Sequence, residues 1–169
     1  MKNVLFAALC VVGSGCTSGG PAPGANVPAP LTASITLGRS VADLESGAQP
    51  TMFPFGEMRD LWVRVKVPDM PHLTTLTLLL KTPSGDVFDG DAQFYSADPT
   101  MNVTQGGMGM DAPVLRAIKI DGGYQLDRAL PVGGTPLQRT PRADGTWGVE
   151  AKLSGVSGLM TASMFVVVK

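Results

Sequence analysis

The chain has 169 residues with a net charge of −1, and 16% of the residues are charged. This length suffices for one domain of ordinary size but not for two. The near-neutral charge argues against a nucleic-acid-binding protein, which would carry a basic excess. A hydrophobic share of 44% argues against a long disordered chain. The 21 Gly and 14 Pro indicate many turns. One His and two Cys provide few side chains for acid–base or metal chemistry, so we expect a protein that is not an enzyme.

The N-terminal residues have the three-part layout of a secretory signal peptide. Lys2 precedes an apolar run over residues 4–12, and a cluster of small residues follows it. The run has the length of a signal-peptide core and falls short of the roughly 20 residues that cross a bilayer. Ser14, Gly15 and Cys16 resemble the lipobox of bacterial lipoproteins, in which small residues precede a cysteine that is lipidated and becomes the mature N-terminus.

This resemblance implies that residues 1–15 are removed as a signal peptide and that Cys16 carries palmitate or similar acyl chains. Gly13 departs from the lipobox, where Leu, Val or Ile is usual. The alternative is cleavage near Gly15 or Gly20 without lipidation, which would give a periplasmic or secreted protein.

The resemblance also bears on which membrane holds the protein. Thr17 differs from the Asp that retains lipoproteins of enteric bacteria in the inner membrane, which favours the outer membrane. Residues 16–30 comprise Cys16 and a segment rich in small residues and Pro, so we expect an extended tether ahead of a domain over residues 31–169. Because Cys10 would be removed with the signal peptide, this domain has no thiol and depends on packing alone.

Hydrophobic alternation with period two predicts about eight strands and no long helix. The predicted strands are residues 33–37, 61–67, 73–81, 87–95, 114–120, 124–130, 147–153 and 160–169. Residues 41–46 could form one helical turn at most. Short strands separated by Gly and Pro turns predict an all-β protein, a single antiparallel two-sheet β-sandwich, with a closed small barrel as the alternative.

Two stretches resemble known families. GTWGVEAKLSG (residues 145–155) and MTASMFVV (residues 160–167) resemble the last two strands of bacterial Ig-like domains. The central stretch, with His72 followed by Pro83, Ser84 and Gly85, is similar in pattern to the P domain of subtilisin-like proprotein convertases. Both resemblances imply a β-sandwich, and neither brings a catalytic residue with it.

We predict no catalytic residues and no cofactor, because the sequence lacks nucleophile, P-loop and dinucleotide motifs. An alternative function is that of a periplasmic copper carrier. Met70, His72, Met108 and Met110 supply thioether and imidazole groups, which are soft ligands suited to Cu(I). Methionines also fill gaps in cores and form adaptable contacts, which needs no metal.

Trp62, Arg64 and Lys66 alternate with aliphatic residues, so they share one face of a predicted strand. Trp and Arg are frequent anchors of protein interfaces, and this face is therefore our candidate interface. The alternative is that Trp62 packs beneath a loop. The sequence as a whole predicts a lipid-anchored binding protein of the cell envelope, outer membrane favoured, acting as an adhesive, assembly or accessory component of a surface complex. We expect the membrane and another envelope protein as partners and no nucleic acid.

Overall fold

A computed structural model describes residues 33–90, 92–98, 103–105, 110–139 and 144–168. The predicted signal peptide, Cys16 and the tether lie outside the described residues. Within these ranges the chain forms thirteen strands and two short helices, α1 (Val41–Ser46) and α2 (Pro136–Arg139). The strands are β1 (Ser34–Gly38), β2 (Met52–Pro54), β3 (Asp60–Val67), β4 (Leu73–Lys81), β5 (Val87–Asp89), β6 (Gln93–Ser96), β7 (Val103–Gln105), β8 (Met110–Ala112), β9 (Val114–Arg116), β10 (Ile118–Ile120), β11 (Gly123–Pro131), β12 (Gly145–Leu153) and β13 (Leu159–Val167).

Two sheets share one hydrophobic core. The small sheet has the strand order β1-β3-β11-β10, and the large sheet has the order β2-β13-β12-β4-β6-β9, with β5 also paired to β4. β7 and β8 pair only with each other among the described strands. Strand pairs are antiparallel except for β2–β13 and β6–β9. The prediction of an all-β, sandwich-like fold is therefore confirmed, and the last two strands, β12 and β13, pair with each other.

β3 shows how the sequence produces the sandwich. Leu61, Val63, Val65 and Val67 are buried, while the residues between them are half-buried on the opposite face. Side chains of a strand alternate between its two faces, so this pattern points one face at the core. The same alternation buries Leu76, Leu78 and Leu80 in β4 and Trp147, Val149, Ala151 and Leu153 in β12.

Trp147 fills the core at one end of the large sheet, as its aliphatic strand neighbours predict. Its ring meets Phe55 edge-on at a centroid distance of 5.2 Å and stacks on Phe88 at 6.4 Å. Offset-stacked and edge-on aromatic pairs stabilise a core beyond the area they bury. Trp147 is fully buried, so it belongs to the core and offers nothing to a partner.

Two stretches predicted as single strands are interrupted. Residues 114–120 begin as β9 in the large sheet and continue as β10 in the small sheet, with buried Ala117 between them donating its N–H to the Ser96 carbonyl at 2.8 Å. Residues 87–95 form β5 and β6 along the same side of β4. Gly90 lies between these strands, and its N–H donates to the Leu78 carbonyl at 2.7 Å. A side chain at Gly90 would meet Leu130 and the Leu78 carbonyl, which explains the glycine.

The helix α1 covers residues 41–46, where the sequence predicts one helical turn at most, and its six residues form somewhat more than one turn. Ser40 caps its N-terminus by accepting the Asp43 N–H at 3.2 Å, and Gly47 ends it in the left-handed conformation with φ +69°. These two caps, together with the burial of Leu44, stabilise a helix that its short periodic pattern alone would not predict. No helix in the described part of the chain has the length and apolar content that crossing a membrane requires.

A polar cluster lies between the sheets where β11 passes β4 and β6. Arg128 is buried and donates through Nη1 to the Leu76 carbonyl at 2.9 Å. The Tyr95 hydroxyl donates to the Asp127 carbonyl at 2.7 Å. Burial raises the pKa of the Tyr95 phenol well above its usual range, while the positive charge of Arg128 partly opposes this effect.

Tyr95 makes stability fall at alkaline pH. Above about pH 10 the unfolded tyrosine loses its proton while the buried one keeps it, so folding stability decreases with pH by up to about 1.4 kcal/mol per unit. Tyr95→Phe should cost about 1 kcal/mol at neutral pH through the lost hydrogen bond. It should also flatten the decline above pH 10, measured by urea unfolding at a series of pH values. A decline as steep as that of the unmodified protein would contradict this account.

Candidate functional site

The candidate interface lies on the outer face of the small sheet, as the alternation predicts. Trp62, Arg64 and Lys66 are half-buried on the side of β3 that faces away from the core. Because β3 lies between β1 and β11, both neighbouring strands contribute side chains beside them.

Arg64 is held in place by three strong hydrogen bonds. Its Nε and Nη2 donate to the two carboxylate oxygens of Asp127 on β11, each at 2.7 Å, and Nη1 donates to the Leu44 carbonyl at 2.7 Å. The Gln125 amide donates a third hydrogen bond to the Asp127 carboxylate, at 3.1 Å. Parallel Arg–carboxylate bonds are stronger and more directional than neutral hydrogen bonds. With only 11% of its side chain exposed, Arg64 is largely removed from solvent.

This arrangement attaches helix α1 to the small sheet. Leu44 is in the last turn of α1, where carbonyl groups have no partner within the helix. A cation at that end satisfies the carbonyl and opposes the negative end of the helix dipole. The hydrogen bonds and charge of Asp127 raise the pKa of the Arg64 guanidinium against the opposing effect of burial, so Arg64 stays charged.

Arg64 therefore joins α1 to this face, and α1 lies close over Gly38, since a Cβ atom there would come within 3.1 Å of Leu44. Trp62 has small cross-strand neighbours, Gly38 on β1 and Ala129 on β11. Lys66 lies opposite Gln125 and forms no ion pair within the described part of the chain.

The row through Lys66 and Gln125 ends at Ile118 on β10, whose side chain is 47% exposed. We call Trp62, Lys66, Gln125 and Ile118 the docking face. Gln125 and Ile118 were not predicted from the sequence. Their place beside Lys66 depends on the pairing of β11 with β3 and of β10 with β11, which long-range packing determines.

The four copper candidates are in different surroundings. The Met70 side chain is buried in the core, whereas His72 is exposed just before β4. Met108 and the side chain of Met110 lie outside what the structure describes. Among the described residues there is no cluster of three or more His, Cys, Asp or Glu side chains suited to a metal ion. The copper site stays a prediction.

No family model matches the sequence, and no curated protein is similar to it at a significant level.

The Arg64–Asp127 contact should contribute measurably to stability. We expect a double-mutant cycle of Arg64→Ala and Asp127→Ala, followed by urea unfolding, to give a coupling energy of about 1.5–3 kcal/mol, because the charged hydrogen bonds are largely shielded from water. Lys81 and Glu150 form a cross-strand ion pair on the large sheet and provide the control. Lys81 is far more exposed than Arg64, so its cycle should give less than about 1 kcal/mol. Equal couplings would contradict the special role of Arg64.

Proposed function

We propose that this protein is a lipid-anchored binding protein of the bacterial cell envelope. It acts without catalysis, as an adhesive, assembly or accessory component of a surface complex. In this proposal the described sandwich is Ig-like, Cys16 carries the lipid, and the outer membrane holds the protein. The docking face is the observation on which the binding role rests.

The anchor is supported by the order of features at the N-terminus. Lys2, the apolar residues 4–12 and the small residues before Cys16 follow one another as in lipoprotein signal peptides. Two or more acyl chains bind a bilayer firmly, whereas one chain binds it marginally. An acylated Cys16 therefore supplies a sufficient attachment for the domain that follows.

The composition of the docking face supports a protein partner. It combines an indole with an exposed aliphatic side chain, an amide and one cation, and aromatic residues such as Trp are enriched in protein interfaces. The Arg64–Asp127 hydrogen bonds hold β3 to β11 beside Trp62, and Arg64 also holds α1. Because these elements are already fixed, little conformational freedom is lost when a partner binds. A rigid sheet face with an aromatic anchor favours specific docking over nonspecific adhesion.

The anchor is tested by exchanging the two cysteines separately. Cys16→Ser should abolish incorporation of labelled palmitate and release the protein from the membrane fraction. Cys10→Ser should leave both unchanged, because Cys10 lies within the apolar run that is removed. Labelling that survives Cys16→Ser, or an unmodified full-length protein in the cytosol, would refute the lipid anchor.

The docking face is tested by crosslinking in intact cells. A photoreactive residue introduced as Lys66→p-benzoylphenylalanine should crosslink one discrete envelope protein. Lys152→p-benzoylphenylalanine, at an exposed position on the large sheet, serves as the matched control and should crosslink no envelope protein. Adding Trp62→Ala should weaken capture about tenfold, the effect of losing roughly 1.4 kcal/mol at an aromatic anchor. Equal crosslinking from both positions, or none from Lys66, would refute this interface.

A further inference from the structure

A second surface lies on the outer face of the large sheet, away from the docking face. Here the segment preceding β2 forms one wall of an open cleft, and β12 and β13 form its floor. The cleft has a volume of about 320 Å³, at the lower end of the range for small-molecule sites. Phe165 contributes its aromatic ring, and we call this feature the Phe165 cleft.

Phe165 is unusually open for an aromatic residue on a sheet. Its side chain is 44% exposed, and that of Met52, its partner on β2, is 51% exposed. Thr146 lies directly opposite Phe165 on β12, and Ser163 lies two residues before it on β13. These short neighbours cannot cover a phenyl ring as a long side chain would. A face of the ring is therefore available to a ligand.

The polar groups around the ring are all uncharged. Gln49 offers a side-chain amide, and Thr51, Thr146 and Ser163 offer hydroxyl groups, while none of the described residues that line the cleft is ionisable. Among these residues an anionic ligand finds no cation, and a cationic ligand finds no carboxylate. A purely apolar ligand would leave the amide and hydroxyls without partners, which lowers affinity. The chemistry fits a neutral ligand that carries many hydroxyl groups together with a C–H face that can stack on a ring.

A smaller cavity adjoins the cleft at the Gln49–Pro50 segment, where β1 of the small sheet lies near β13 of the large sheet. Its volume is about 120 Å³, it shares Gln49, Pro50 and Ser163 with the Phe165 cleft, and its lining is also uncharged. The two cavities thus offer adjoining positions on either side of the same two residues. This arrangement suits a ligand made of repeated units better than a single small molecule.

We propose that the Phe165 cleft binds a neutral oligosaccharide. One sugar stacks a C–H face on the Phe165 ring, its hydroxyls bond to Gln49, Thr146 and Ser163, and the next sugar extends toward the smaller cavity. This site goes beyond the docking of a protein partner, since the Phe165 ring lies on the opposite sheet and no residue of the docking face takes part. It also requires no lipid anchor.

The proposal is tested by isothermal titration of the full-length protein, in a detergent whose headgroup contains no sugar. The probes are three neutral hexasaccharides: β-1,4-linked glucose, α-1,4-linked glucose and β-1,4-linked N-acetylglucosamine. At least one should bind saturably below about 10 mM. Phe165→Ala should weaken that binding about tenfold and Gln49→Ala less, whereas Phe165→Trp should retain it.

Controls separate the cleft from other exposed surfaces. Leu115→Ala removes a comparably exposed hydrophobic side chain from β9 and should leave binding unchanged. Phe165 and Gln49 are both exposed, so their variants should keep the thermal stability of the unmodified protein. The proposal is overturned if none of the three hexasaccharides binds, if oligogalacturonate, an anionic chain, binds more tightly than all of them, or if Leu115→Ala weakens binding as much as Phe165→Ala. None of these results would affect the anchor or the protein crosslink.

Discussion

The packing of aliphatic side chains between the two sheets is the interaction on which the rest of the structure depends. Val63 and Val65 of the small sheet and Leu78 and Val149 of the large sheet are completely buried in one core. Residues 33–169 contain no cysteine, so no disulfide joins the sheets. Since a buried Val or Leu contributes roughly 1.5–3 kcal/mol, it is the number of such residues that holds the sandwich together. Both outer faces are then left to carry polar and aromatic groups.

The outer face of the small sheet differs from that of the large sheet because helix α1 packs against β1 and β3. Arg64 joins Asp127 of β11 to the Leu44 carbonyl of α1, so a single side chain connects two strands and a helix. The charge of Arg64 is thereby used within the fold, and Trp62 lies beside a rigid arrangement of β3, β11 and α1. On the large sheet Lys81 and Glu150 neutralise each other, and the described residues that line the Phe165 cleft carry no charge. The docking face thus offers an indole and a cation, whereas the described lining of the Phe165 cleft offers uncharged groups.

The sequence predicts strands where alternation is long and clean, as in β3, β4 and β12, because period two follows directly from strand geometry. It does not predict the breaks at Gly90 and Ala117, since both depend on what the neighbouring strand presents: the Leu78 carbonyl for one and the Ser96 carbonyl for the other. The candidate interface is similar. Trp62, Arg64 and Lys66 follow from one strand, whereas Asp127 enters only through the pairing of β3 with β11, which long-range packing determines.

In the proposed arrangement, the length of the segment over residues 17–30 bears on whether both faces can be used. An extended chain spans at most about 3.6 Å per residue, so the 14 residues from 17 to 30 reach no further than about 50 Å. A domain of about 139 residues has a radius of gyration of roughly 14 Å. An attached domain could therefore turn either face toward or away from the bilayer, and the anchor would not select between them. Which partner binds to which face would depend on the groups that each face offers. The aromatic and cationic groups around Trp62 suit a protein surface, and the neutral groups around Phe165 suit a sugar. Because these groups lie on opposite sheets, occupying one face does not obstruct the other, and a single anchored domain could hold a protein and a glycan together.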